Sequence, residues 1–578
     1  MTGAFFSLAP LWVSHCYKVF GYNLFLRGDA IQLFGVTLLV SLLGYYLLPD
    51  FLTPRLKSRD ASPESRSAGA RAAGHRLLAI GALIGLVYGL YQVNQHILHS
   101  FLSSADEHSC YFLAECLRRG RLYADIPPFA DFFEVVHVGM KGGKWFSVYP
   151  PGWPVIWAMG LNLNIVDWLN PAMSALAVFV FYRAGIRIFS RSSVVCGLFL
   201  CISSPFFAFT AASYFSHATS LLCVAVFLYS FLRWREGYAE GKDPVGWAIL
   251  CGLGVGYGLI TRPLTMFALA GPFLLYHFLP CFINTECFKR ASGIKRANCF
   301  RFALRRSDWV FLSMIGFFLL IGILQNFAVT GKPFKSPLKY YQSWERLGFK
   351  RGHYTPVDGF FYGIARIFYL MDWFAPAAVG AYLFLLANTR CLKDLLTPGV
   401  DRVRAIFHLV PVFLAGAYFF YYSWGGNQWG PRYWWEGLPF LSIAAGGWIT
   451  ARWNAGSIRT RKFLVVFVVA SLASSAVLFV KHAGFTSEAS SQRRALYDHA
   501  ERTIEGPAIV FISGFLGSRL VLAEEDAVRN SPFLDGRILY AHDLGERNKE
   551  LIAAWPGREY YRGIYDRERL RSQIERIR

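Results

Sequence analysis

Asp106 and Glu107 are the residues of this sequence best placed for acid–base chemistry. They follow closely on an apolar run at 76–97, where a chain passes from hydrocarbon into the headgroup layer. Partial desolvation at that depth raises a carboxyl pKa and makes it a better general base. A second reading stands beside it: acids in the first turn of a helix stabilise its N-terminus. The stretch HSCYFLAECLRRGRLYAD that follows has apolar positions Tyr111, Phe112, Ala114, Leu117 and Leu122, the pattern of a helix on a membrane surface. Beyond it come Asp125, Pro127, Pro128, Asp131, Glu134 and His137, then FSVYPPGWP at 146–154. That Pro and Gly cluster forces irregular backbone, tolerated near a bilayer where it lines a cavity.

The elements that must position these residues are membrane spans. Of 578 residues 54% are hydrophobic and only 17% charged, with 52 Phe, 30 Tyr and 17 Trp. Such a balance excludes disorder, a collagen-like fibre, a disulfide scaffold and an ordinary cytosolic enzyme. Runs long enough to span lie near 76–97, 169–189, 193–211, 217–233, 245–261, 263–280, 309–328, 373–389, 405–423, 437–451 and 463–481, with an extra N-terminal span at 30–50. Residues 1–27 are apolar but lack a basic n-region and a small-residue cleavage site.

The net charge of +22 would suggest nucleic acid in a soluble protein. In a membrane protein basic residues collect in cytoplasmic loops, and no nucleic-acid partner is expected. With the segment before the 76–97 helix in the cytoplasm, the inner pieces hold 27 Lys and Arg against 14 in the longer outer loops. The outside then receives the loops 98–168 and 329–372 and everything after 482. Of the eleven cysteines, Cys16, Cys196, Cys201, Cys223, Cys251, Cys281 and Cys391 lie in or beside apolar runs, as small hydrophobes do. Cys110 and Cys116 are about 9 Å apart by helical rise, too far for a bridge. No Cys/His spacing suggests zinc, so no disulfide, structural metal or cofactor is expected, and a divalent metal has no support.

Three regions follow. Residues 1–75 comprise the apolar N-terminal segment and a basic linker whose flexible part is RDASPESRSAGARAAGH at 59–75. Residues 76–481 form the transmembrane core. Residues 482–578, with 15 basic and 15 acidic residues, read as a small soluble α/β domain: β-like runs AIVFI (508–512) and RILYA (537–541), a polar helix at 546–554, and no GxGxxG or P-loop.

The motifs then form an ordered set. An ADExxxxFLAxxLxxGxLY pattern after the first core helix is followed by YPPGWP, by SPFFAFTAASYFSHATSLL at 204–222, by GLITRP at 258–263 and by GPRYWWEGLPFL at 430–441. Over residues 76–481 this resembles the GT-C superfamily of integral-membrane glycosyltransferases, in the bacterial branch similar to protein O-mannosyltransferases and aminoarabinose transferases. The resemblance implies a mostly α, polytopic membrane helical bundle of about 11–12 spans with a small C-terminal extracytoplasmic α/β domain, in a bacterial inner membrane. It implies a polyprenyl-phosphate-linked sugar donor and an extracytoplasmic acceptor: glycan, lipid or protein.

By the same resemblance Asp106, with Glu107 beside it, is the base that activates the acceptor hydroxyl. Cations must meet the departing phosphate. Arg432 stands at the outer end between two spans, and its fork suits a phosphate. Arg262 is similar, or a snorkelling anchor; Tyr433 adjoins Arg432. The loop 329–372 supplies Lys332, Lys335, Lys339, Arg346, Lys350, Arg351 and Arg366, for donor phosphate or anionic lipid, with Tyr340, Tyr341, Trp344 and Tyr354 suited to sugar stacking or an interfacial belt. Two departures matter. Where several relatives carry an acid between the third and fourth core helices this chain has Tyr214, Phe215, Ser216 and His217; His217 would bond donor phosphate, pair with Asp106 or end a helix. Where aminoarabinose transferases tend to carry Lys before Pro-Pro, Tyr149 stands, leaving Lys141, Lys144 or Arg432 for the phosphate. The competing readings are a non-enzymatic transporter of lipids or sugar-lipids, which inverted repeats and midplane charges would mark, and a scaffold of an envelope-assembly complex.

Overall fold

The computed structural model describes residues 28–47, 68–282, 304–342, 347–350, 353–387, 402–423, 425, 429–513, 524–566 and 571–577. The apolar segment 1–27, residues 58–67 of the linker, Cys16 and Cys391, and Trp344, Arg346 and Arg351 of the second outer loop lie outside the described residues.

Helices follow the apolar runs: α1 (Gly28–Leu47), α2 (Ala68–His96), α3 (Ala105–Arg118), α4 (Gly152–Leu163), α5 (Val166–Gly185), α6 (Arg191–Ile202), α7 (Pro205–Ala212), α8 (His217–Ala239), α9 (Val245–Leu259), α10 (Pro263–Phe282), α11 (Arg306–Thr330), α12 (Pro337–Tyr341), α13 (Pro356–Trp373), α14 (Pro376–Ala387), α15 (Arg402–Phe419), α16 (Leu438–Ala455) and α17 (Ile458–Thr503). Leu77–His96 of α2, with α8, α11, α15 and α17, are each long and apolar enough to cross a membrane; α6 and α7 pass the same test together across a 68° bend. That bend divides the run expected as one span at 193–211. Ser204 caps the new helix by accepting from the Phe207 N–H at 3.2 Å, and Pro205 at its first position has no N–H to continue the old one. Shorter apolar helices (Gly35–Tyr46, α9, Pro263–Leu279, α14) and α5 and α16 complete the bundle.

Leu77, Leu78 and Ile84 of α2 and Leu319, Leu320, Leu324 and Phe327 of α11 are all exposed, an apolar surface suited to lipid rather than water. Inside the bundle small residues let backbones touch. A Cβ at Gly197 of α6 would lie 2.3 Å from the Ser442 carbonyl oxygen, and one at Gly446 of α16 would lie 2.2 Å from that of Ser193.

The loop 98–168 carries a three-stranded antiparallel sheet, order β1-β3-β2, from β1 (Ala124–Asp125), β2 (Val138–Lys141) and β3 (Lys144–Ser147). Its hairpin turns on Gly142 and Gly143, both at positive φ as such a turn requires. The C-terminal sheet has order β5-β4-β6-β7, from β4 (Ala508–Ser513), β5 (Ile538–His542), β6 (Glu559–Asp566) and β7 (Arg571–Arg576); β7 is antiparallel and the others parallel. With α18 (Glu524–Ala527) and α19 (Asn548–Ala554) this is the expected small α/β unit.

It does not stand apart. Phe112, Phe132, Phe133 and Trp145 of the first outer loop share one core with Ile509, Phe511, Leu539 and Tyr560. α17 runs unbroken for 46 residues from the bundle into this unit, passing through residue 482.

Candidate active site in the outer cavity

The first turn of α3 separates the two acids. Ser104 caps the helix, its hydroxyl accepting from the Glu107 N–H at 3.3 Å while the Glu107 carboxylate accepts from the Ser104 N–H at 3.1 Å. The second oxygen of Glu107 accepts from the Tyr214 N–H at 2.8 Å. Glu107 is thus buried and committed to backbone, and burial pushes its carboxyl up to about 7 despite those two donors. One residue earlier, about 100° around the helix, Asp106 faces a cavity.

Asp106 is held by three side chains. The Tyr149 hydroxyl donates to Oδ1 at 2.6 Å, His137 Nδ1 stands 2.9 Å from the same oxygen, and an Arg432 guanidinium nitrogen lies 2.6 Å from Oδ2. Burial alone would raise the Asp106 pKa, as expected from its depth, but the Arg432 charge, His137 and Tyr149 outweigh it and hold the carboxyl well below the usual carboxylate range. The same neighbourhood keeps the Tyr149 phenol well above its ordinary value, through burial first and the Asp106 charge second, so Tyr149 remains the donor. His137 reaches Asp106 from a left-handed backbone (φ 66°), strain that the surroundings over-determine: its carbonyl accepts from Ser109 at 2.5 Å and from the Val148 N–H at 3.2 Å.

The cavity holds about 880 Å³ and is lined by Asp106, His137, Tyr149, Arg262, Arg432 and Tyr433 among others. One side is apolar, with Leu259, Ile260 and Leu264 at the ends of α9 and α10 and Leu319, Gly322 and Ile323 on the lipid-facing helix α11. Tyr418, Tyr421, Tyr422, Ser423 and Tyr433 also line it. Tyr433 stacks on Tyr418 (centroids 4.7 Å apart, 8° between planes) and donates to the Ser423 hydroxyl at 3.2 Å. Arg366, expected in a lipid-contacting basic loop, is instead buried behind this wall, donating to the Tyr418 and Ser423 carbonyls at 2.9 and 2.8 Å.

Arg262 enters the cavity from a buried triad. Its Nε lies 3.1 Å from Glu436 Oε1, and His217 Nδ1 lies 3.1 Å from the same oxygen. His217 therefore pairs with Glu436, not Asp106, and neither residue of that pair lines the cavity. Lys141 and Lys144 point elsewhere: Lys144 donates to the Ala328 carbonyl at 2.5 Å, and Lys141, exposed, lies 4.8 Å over the Tyr340 ring.

The turn after α7 is stitched from outside. Asn170 donates to the Phe215 carbonyl at 2.9 Å, Trp153 Nε1 to that of Tyr214 at 2.7 Å and Asn94 to that of Ala212 at 2.8 Å, so Phe215 is fixed under the Arg432 guanidinium, 4.9 Å away. Gly152 of the YPPG segment bonds the Ile260 carbonyl at 2.9 Å; a Cβ there would stand 2.1 Å from the Thr261 hydroxyl, so only glycine lets the first loop seat against ITRP. Glu436 lay within a quoted motif, but nothing marked it as a partner of Arg262. Arg493 and Asp526 also reach the cavity, with no motif around them. Among the described residues no three His, Cys, Asp or Glu are grouped to hold a metal.

Two crystal structures of ArnT from Cupriavidus metallidurans have this architecture. The one bound to undecaprenyl phosphate matches with TM-score 0.50 at 13% identity, over 87% of this chain and 98% of its own; the apo structure gives 0.52 at 12%, over 88% and 98%. The chain has the GT-C fold. The archaeal oligosaccharyltransferase AglB from Archaeoglobus fulgidus, in complex with an inhibitory peptide and a dolichol-phosphate, aligns over 85% of this chain and 70% of its own, with TM-score 0.43 at 13% identity. Residues 508–576 match a family model described as a domain of unknown function, DUF7846. No curated protein matches the sequence.

Proposed function

We propose that the protein is a membrane glycosyltransferase that moves a sugar from a polyprenyl-phosphate carrier to an acceptor hydroxyl on the extracytoplasmic face of a bacterial inner membrane. The observation that carries this reading is the Asp106 carboxylate, paired with Arg432 and sharing a cavity with Arg262, beside apolar lining from the lipid-facing helix α11. A polyprenyl chain suits that lining, and a phosphate suits the two arginines. The ArnT structure bound to undecaprenyl phosphate supports the same donor class.

Without substrate Arg432 neutralises Asp106. A phosphodiester arriving at the arginines competes for Arg432, removes the strongest influence stabilising the ionised form of Asp106, and so raises its basicity when an acceptor is to be deprotonated. Asp106 then takes the hydroxyl proton as the acceptor oxygen attacks the anomeric carbon. The carbon–oxygen bond to the carrier breaks with its electron pair on the phosphate, where Arg262 and Arg432 meet the developing charge. Tyr149 and His137 hold the carboxylate in line; Glu107 holds the turn that presents it.

The test is mass spectrometry of polyprenyl lipids co-extracted with wild-type and Asp106→Asn protein. The variant is expected to retain glycosylated polyprenyl phosphate that the wild type converts to free polyprenyl phosphate, with transfer reduced about 10²–10⁴-fold, the usual contribution of a general base. Full transfer by the variant would remove Asp106 from the role.

A further inference from the structure

The C-terminal unit sends two charged side chains into the cavity. Arg493, on the outer part of α17, donates to the Ser103 carbonyl at 2.7 Å, one residue before the cap of the helix that carries Asp106. Asp526, in α18, is held through one oxygen by Arg529 at 2.8 Å, and Arg529 in turn donates to the Leu102 carbonyl. Each side chain keeps a buried atom in reserve. Among the described residues neither Asp526 Oδ1 nor Arg493 Nε has a hydrogen-bond partner.

Such atoms are costly in a finished structure, because a buried polar group without a partner forfeits its hydration. Arg493 and Asp526 both line the cavity and belong to α17 and α18, whereas the apolar lining comes from the ends of α9 and α10 and from α11. What approaches there comes from water, toward Asp106. A carboxylate acceptor and a guanidinium donor side by side match vicinal hydroxyls, which accept from one and donate to the other. A phosphorylated ligand would be drawn by one and repelled by the other.

We infer that Arg493 and Asp526 form the acceptor subsite of this chain and select a neutral, polyhydroxylated glycan. The inference rests on the glycosyltransferase reading and adds to it the acceptor class and the residues that choose it.

The experiment uses full-length protein reconstituted with glycosylated polyprenyl phosphate extracted from the source membranes. The acceptor probe is a delipidated glycan fraction of the envelope from cells lacking the gene. Rates are measured against glycan concentration for the wild type, Asp526→Asn and Arg493→Gln. The expected result is a rise of about 10-fold in the half-saturating glycan concentration, the scale of one lost charged hydrogen bond. The maximal rate should stay within a few-fold of wild type. Unchanged half-saturation would overturn the inference. So would a fall in maximal rate alone, which marks a structural strut, or acceptor activity that protease removes from the extract. Release of free sugar from the donor by the wild type, without added glycan, keeps the two readings apart. If it is present while the glycan fraction is ignored, only the acceptor assignment fails; if the donor is never turned over, the glycosyltransferase reading fails as well.

Discussion

A carboxylate and a guanidinium 2.6 Å apart in a cavity hold each other's charge, so Asp106 is a weak base until something else engages Arg432. Glu107, one residue on, has no cation at that distance among the described residues, and burial is the largest influence on its ionisation. Its carboxyl is pushed up to about 7, above the 4.5 of an unfolded glutamate. A raised acid stabilises the fold in its protonated form. That contribution is complete below about pH 4.5 and is lost as pH rises through about 7, a span of roughly 3 kcal/mol for this one group. Glu107→Gln stays neutral and keeps a capping box with Ser104, so thermal midpoints measured from pH 4.5 to 8 should fall less steeply in the variant than in the wild type. Asp106, Arg262, Arg432 and Tyr433 were legible in the sequence because each stands near an end of an apolar run, where a cavity between helix ends must draw its lining, and Tyr149 because it precedes the Pro-Pro of the first loop. Lys141 and Lys144 shared that location and the right charge, but a sequence says nothing of which way a hairpin turns its side chains. The pairing of His217 with Glu436, 219 positions away, left no mark at all.

Helices were legible as apolar runs, and their breaks were not. The run at 193–211 is continuous in hydropathy yet bends 68°, because Ser204 and Pro205 end one helix and start another at the cost of no apolar residue. The bend sets up the turn at 213–216 that carries Phe215 beneath Arg432. Crossing distances follow from glycines. Gly446→Ala places a methyl carbon against the Ser193 carbonyl and the Gly197 backbone, which cannot rotate away, so α6 and α16 must separate. The expected cost is about 1–3 kcal/mol, as for other overpacked sites, read as a lowered unfolding midpoint in detergent. Gly81→Ala, on a lipid-facing stretch where no neighbouring element comes within 4 Å of the added carbon, should not lower the midpoint.

At the scale of the whole molecule, the change in composition after residue 482 marked a different environment. It did not reveal that the outer loop and the C-terminal unit share a core. Phe511 meets Phe132 at 6.2 Å between ring centroids and lies near Tyr560, so its burial belongs to both regions. Phe511→Ala should cost about 3–5 kcal/mol. Because the cavity that it buttresses is built on the same loop, limited proteolysis should show cleavage within 98–150 rising together with cleavage in the C-terminal unit. Independent digestion of the two would contradict the shared core.

That shared core also fixes an order in time. Asp106 leaves the ribosome about 400 residues before Phe511. At 5–20 residues per second the first loop waits on the order of 20–80 s beyond the membrane with part of its interior still unmade. During that interval the backbone that presents the carboxylate has half of its support. Competence is therefore the last property the growing chain acquires. A copy truncated before the C-terminal sheet leaves the first loop's face of that core bare, and the backbone that presents Asp106 stays without it.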